Sequence, residues 1–251
     1  MAYQWSWRSF DDVSTDGVST YLHNMFAGAG WSVLTALLGA SLALAIGVAV
    51  GLMRVSERPL YRTLGAIYVE IFRDIPLLVQ MFLWYFVFPE LIPHRAGAWL
   101  KSLEYGPFYT TVVSLGLYTA ARVAEQTRSA IASLPKGQMM ASQALGLTRG
   151  DAYRKVVLPQ AFRMMLPPLT SEMVNLMKNT SVGMTIGLLE LTARARDMQE
   201  SAFRVFEAFS AATLGYVAIN LMIIGAFRYL ERRPRLKLKN RTTPSAKEAL
   251  S

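Results

Sequence analysis

Residues 134–168 read LPKGQMMASQALGLTRGDAYRKVVLPQAFRMMLPP. In the first part, 137–147, Ala141 and Ala144 stand three residues apart and therefore lie together on one face of a short helix. Gly146 is suited to stop that helix, and Lys136, Arg149, Arg154 and Lys155 flank it with positive charge. Such a helix is too short to cross a bilayer, which takes roughly 20 apolar residues. Lying between two apolar stretches, it is suited to docking in a groove of a soluble partner. The alternative is an ordinary loop helix resting on a membrane surface.

Working outward, the chain is 53% hydrophobic and only 17% charged, too apolar and too poor in charge for an ordinary soluble domain of 251 residues. Its mean hydropathy of only +0.27 means that the apolar residues are gathered into segments between polar loops. Five such segments are expected to span a membrane: residues 29–53, 64–88, 109–132, 164–189 and 206–227. The second is interrupted by Glu70, Arg73, Asp74 and Pro76, and the fourth by Pro167, Pro168, Glu172 and Lys178.

Loop charge orients the spans. Arg54, Arg58 and Arg62 follow the first, Arg128, Lys136, Arg149, Arg154 and Lys155 the third, and Arg228, Arg232, Arg233, Arg235, Lys237, Lys239, Arg241 and Lys247 the fifth. The opposite ends are acidic or balanced: Asp11, Asp12 and Asp16 face a single Arg8 at the start, and Glu90 and Glu104 offset Arg95 and Lys101. By the positive-inside rule the N-terminus is expected outside and the C-terminus in the cytoplasm, which requires an odd number of spans. The net charge of +9 is thus read as a membrane-facing charge and not as a nucleic-acid footprint.

The expected organisation is an outer N-terminal segment 1–28, a transmembrane region 29–230 with a cytoplasmic loop 133–156, and a basic tail 231–251 that contacts lipid headgroups or is disordered. The acidic start lacks the polarity of a cleavable signal peptide, so the first span is expected to direct insertion. With no cysteine and only His23 and His94, neither thiol chemistry nor a metal site is expected.

In the first span Gly39, Ala43, Gly47 and Gly51 recur every four residues and make a face for close helix packing. Glu70, Arg73 and Asp74 fall at helical offsets that let them pair as a structural ion network or act in gating. Arg122 sits near the middle of the third span, where an unpaired cation is expensive and marks a functional site by default. A guanidinium there can hold a carboxylate with two hydrogen bonds; equally, Glu125 one turn away can neutralise it. Lys178, followed by Asn179, Thr180 and Ser181 in a broken span, is the second candidate, as a substrate or gate group or as a snorkelling side chain.

Gly137-Gln138, Ala141, Ala144-Leu145-Gly146 and Leu158-Pro159 resemble the cytoplasmic loop signature of permease subunits in binding-protein-dependent ABC importers. The stretches YVEIFRDIPLLVQMFLWYF (68–86) and LMKNTSVGMTIG (176–187) are similar to the polar amino-acid branch of that family. The runs 117–128 and 167–173 resemble the glutamate/aspartate permeases within it. The resemblance covers nearly the whole chain. It implies the all-α type I ABC importer permease fold, with Gly137, Gln138, Met140, Ala141, Ser142, Ala144, Leu145 and Gly146 forming a coupling helix that inserts into the ATPase. One departure stands out: Met140, Ala141 and Ser142 occupy the place of the usual Glu-Ala-Ala, so the acidic contact is missing here. That points to docking by shape, or to a heterodimer whose second permease supplies the carboxylate.

The implied function is import of acidic amino acids across a bacterial inner membrane by alternating access. Arg122, Glu125, Lys178, Asn179, Thr180 and Ser181 are the candidate substrate contacts. The implied partners are a second permease, a dimeric ATPase that binds ATP and Mg, a periplasmic amino-acid-binding protein and membrane lipid. The chain has no G-x-x-x-x-G-K-[ST] loop of its own, so it is not expected to hydrolyse ATP. The alternative is a carrier or channel driven by an ion gradient, with Arg122, Glu125 and Lys178 as relay groups.

Overall fold

A computed structural model describes residues 3–232, and its regular elements are helices joined by short turns. After a 3-10 turn at Trp7–Phe10, α1 (Tyr21–Arg54) starts at Thr20, whose side chain accepts the His23 N–H. The next helix, α2 (Pro59–Asp74), opens on a proline, which has no N–H to leave unpaired at a helix start. It is followed by α3 (Leu77–Leu91), α4 (His94–Lys101), α5 (Gly106–Ala132) and the short α6 (Lys136–Ala144). Then come α7 (residues 149–179), a 3-10 turn at Thr180–Ile186, α8 (Leu191–Ala202) and α9 (Val205–Arg232).

Two of these helices carry a π turn, and both turns end just before a proline. In α3 the turn is Leu83–Val87, with the N–H of Phe88 bonded to the Leu83 carbonyl and Pro89 next. In α7 it is Tyr153–Val157, with Leu158 bonded to Tyr153 and Pro159 next. A proline ring clashes with the carbonyl four residues back, and widening the preceding turn by one residue relieves that clash.

The small-residue stripe of α1 packs along α5, as its spacing anticipates. A Cβ on Gly47 would lie 2.6 Å from the Val123 Cβ, and one on Gly51 2.5 Å from the Thr127 Cβ. Only hydrogen fits at either place, so the two backbones approach as closely as small residues permit. Val123, Ala130, Ala161, Met165 and Leu169 then join α5 to α7, while Leu191, Ala195, Met198, Ala208 and Ala212 join α8 to α9.

The five expected spans meet different fates. The helices Tyr21–Arg54 and Val205–Glu231 are long and apolar enough to cross a membrane. The second expected span, 64–88, read as interrupted at Pro76, is two helices bent by 101° between Asp74 and Leu77, at that proline. The third expected span lies within α5, whose 27 residues reach about 40 Å at 1.5 Å each, but its polar content keeps it below the same test. In the fourth, Pro167 and Pro168 do not interrupt the helix; it runs through both to Asn179 and only then tightens. The start of α1 at Tyr21 also cuts into the segment 1–28 read as preceding the first span. The basic tail lies outside the described residues from 233 onward.

Candidate functional site

Where α2, α5 and α7 meet, Arg73, Arg122, Glu125, Gln126 and Glu172 line an open polar cavity of about 390 Å³. Arg122 is fixed there from below by Tyr118, one turn back on α5. The Tyr118 hydroxyl accepts from Arg122 Nη2 at 2.7 Å, and the guanidinium carbon lies 4.9 Å from the ring centre. That contact orients the fork and adds a cation–π attraction while leaving most of its donors free. The carboxylate opposite is Glu172 on α7, at 3.7 Å, too long for a strong hydrogen bond.

Glu125 does not neutralise Arg122. It bonds instead to Arg54 on α1 and to Arg128 one turn on, the latter at 2.5 and 3.1 Å. The helical spacing that suggested an Arg122–Glu125 pair took no account of α1, which brings a competing guanidinium. Glu172 was missed as a site residue although the same rule applied: a carboxylate inside an expected span needs a partner as much as Arg122 does.

The other candidates disperse. Lys178, Asn179, Thr180 and Ser181 are not among the cavity-lining residues. The Thr180 hydroxyl is buried and donates to the Met177 carbonyl at 2.8 Å, and Ser181 donates to the Lys178 carbonyl at 2.7 Å. Both close the end of α7 where it tightens. Lys178 is exposed. Among the described residues, Glu70, Arg73 and Asp74 form no ion pair with one another; all three are exposed on this chain, and Arg73 turns to the cavity.

α6 presents Gly137, Met140, Ala141, Ala144 and Leu145 outward, a stripe at helical spacing without charge. Met140 is 64% and Leu145 84% exposed. Ser142 is buried, its hydroxyl on the Gln138 carbonyl at 2.7 Å. The helix ends as Gly146 foresaw: Gly146 has φ +84, its N–H bonds to the Gln143 carbonyl at 2.9 Å, and the Leu147 N–H bonds to the Ser142 carbonyl at 3.2 Å. Thr148 then caps α7, accepting the Asp151 N–H and donating to the Asp151 carboxylate at 2.9 Å. Lys155 and Thr148 hold that carboxyl below its ordinary pKa. Arg149 ties the loop to Glu57 after α1 and holds the Glu57 carboxyl below the usual carboxylate range.

Residues 41–236 match the family described as the binding-protein-dependent transport system inner membrane component. The chain belongs to that family. The permease is 41% identical to the glutamate/aspartate import permease protein GltJ of Escherichia coli K12, over 94% of its own length and 97% of that protein. It is also 32% identical to the glutamine transport system permease protein GlnP of the same strain, over 84% and 93%. A crystal structure of an amino acid ABC transporter with histidines superposes with a TM-score of 0.72 at 27% identity, covering 85% of the permease and 95% of that chain. The permease is therefore an inner-membrane transport component with an all-helical importer fold, and not an enzyme. The reading as an ion-gradient carrier gains no support from these likenesses.

Proposed function

We propose that this chain is one permease subunit of an ATP-driven importer, and that acidic amino acids pass through the cavity between α2, α5 and α7. The observation that carries the reading is the charge of that cavity. With Glu125 committed to Arg54 and Arg128, the charged groups left facing the space are Arg73, Arg122 and Glu172. Two cations and one anion are the inverse of glutamate or aspartate, which carry two carboxylates and one ammonium. Arginine matches a carboxylate with paired N–H donors, and Glu172 suits the ammonium. Glutamine lacks the second carboxylate and would leave one guanidinium unmatched. The likeness to GltJ supports the same substrate class.

The remaining architecture follows from this reading. Five crossings with the N-terminus periplasmic and the C-terminus cytoplasmic put α6 on the ATPase side. The bent α2–α3 pair is then the second crossing, and α5 and α7 are the third and fourth. The uncharged outward stripe of α6 docks by shape into a dimeric ATPase that binds ATP and Mg, while a second permease and a periplasmic binding protein complete the assembly. Protease cleavage of residues 137–150 from the outer side would overturn this orientation.

The test is uptake into liposomes by the reconstituted complex. ATP-dependent entry of labelled glutamate, weakened by Arg122→Ala with assembly intact, is the expected result. Entry that persists without ATP, or loss of assembly in Arg122→Ala, overturns it. Gly146→Val forces a β-branched residue into the left-handed region and is expected to lower ATP hydrolysis coupled to uptake. Unchanged coupling would remove α6 as the docking element.

A further inference from the structure

We propose that Gln80 is a positioning residue for transport: it braces the bend between α2 and α3 and thereby holds Arg73 at the cavity. The inference rests on the reading of that cavity as the substrate passage. A proline at 76 has no N–H, so the Phe72 carbonyl, which residue 76 would serve in an unbroken helix, loses its donor. The Ile75 carbonyl lies in the bend itself. Orphaned carbonyls at membrane depth are costly unless the protein supplies a donor.

Gln80 supplies both donors. Its Nε2 bonds to the Phe72 carbonyl at 3.0 Å and to the Ile75 carbonyl at 2.9 Å. The side chain is buried, and its Oε1 is buried without a hydrogen-bond partner. An amide turned the other way would set Oε1 against two carbonyl oxygens, so the orientation is fixed by chemistry. The two hydrogens of one amide thus clamp the last turn of α2 to the first turn of α3.

That clamp sits one peptide from Arg73. Neighbouring Leu77 and Met81 pack with Leu115 and Ile186, and Tyr118 packs against the same cluster. Tyr118 is the residue that holds Arg122. The beginning of α3 is thus anchored on its apolar side by that cluster, and the Gln80 brace ties the anchored end across the bend to Arg73. With the brace gone, the bend is free to open and carry Arg73 away from the cavity.

The experiment uses the whole reconstituted importer, with Gln80→Met as a donorless side chain of similar length and Gln80→Asn as an amide one methylene shorter. Gln80→Met is expected to raise the KM for glutamate about tenfold, with the maximal rate within about twofold of the parent. The Gln80→Met/Arg73→Gln double variant is expected to be no worse than Arg73→Gln alone, because both act through one guanidinium. An unchanged KM in Gln80→Met, or effects that multiply in the double variant, overturns the proposal. So does loss of assembly in both Gln80→Met and Gln80→Asn, which would make the residue a structural one. If Arg73→Gln and Arg122→Ala both leave glutamate uptake unaltered, it is the assignment of the cavity that fails, a result separate from any obtained with Gln80.

Discussion

Two clusters of charge lie one helical turn apart on α5, and they are built in opposite ways. Around Glu125, two guanidinium groups from α1 and α5 close on a single carboxylate. Around Arg122, one guanidinium rests on Tyr118 and faces Glu172 across 3.7 Å, with Arg73 on the same cavity. The first cluster commits its carboxylate to two cations and joins two helices. The second keeps donors and an acceptor turned to open space. Ionisable groups inside a membrane protein are costly in either form; packing accounts for the closed cluster, and the open one keeps groups with which a ligand could pair.

The comparison breaks first at Arg122. Arg122→Ala is expected to reduce ATP-dependent glutamate uptake about a hundredfold, since it removes a charge pair formed only with substrate, while the yield of assembled complex stays unchanged. Comparable losses for glutamate and glutamine would show that Arg122 does not read the side-chain carboxylate. Glu125→Gln should do the reverse. It leaves Arg54 and Arg128 without their anion and is expected to lower stability by ~1–2 kcal/mol, read from thermal denaturation of the purified complex, with the KM for glutamate unaltered. A sharper form removes the closed cluster at both ends. Arg54→Leu/Glu125→Leu is expected to cost less than Glu125→Leu alone, because only Arg128, more exposed than Arg54, is then left without its carboxylate. A double variant as unstable as the sum of its parts would mean that the two residues do not act as a pair.

Much of this architecture was legible in the sequence, because it follows from local spacing. The glycine–alanine stripe of the first span gives a packing face, Gly146 gives a helix stop, and the long apolar runs give α1 and α9. Two of the differences, at Glu125 and Arg73, come from helices distant in sequence; the others are local. Glu125 lies one turn from Arg122, and only the approach of α1 shows that Arg54 claims it. Arg73 sits among Glu70 and Asp74 at pairing spacing along α2, yet it lines a cavity shared with α5 and α7. Pro167 and Pro168 read as a break, but the helix runs on to Asn179 through both. Thr180 and Ser181 looked like free hydroxyls for a ligand, whereas the tightening of α7 after Asn179 turns them onto backbone carbonyls.

The smallest effect is expected at a third ion pair, which calibrates the other two. Glu57 and Arg149 join the loop after α1 to the start of α7, and both side chains are largely exposed. Water and salt screen such a pair, so Glu57→Gln should destabilise the complex less than Glu125→Gln, and added salt should erase what effect it has. The pH dependence has a definite sign. Arg149 holds the folded-state pKa of Glu57 below its unfolded value. The pair therefore contributes in full above the ordinary glutamate pKa of about 4.3 and fades as the pH falls through the lowered folded value. Denaturation curves of parent and Glu57→Gln should separate at neutral pH and converge in acid. Curves that stay apart in acid would show that the Glu57 side chain acts through packing, and the exposed pair would then no longer serve as the weak reference for the cluster around Glu125.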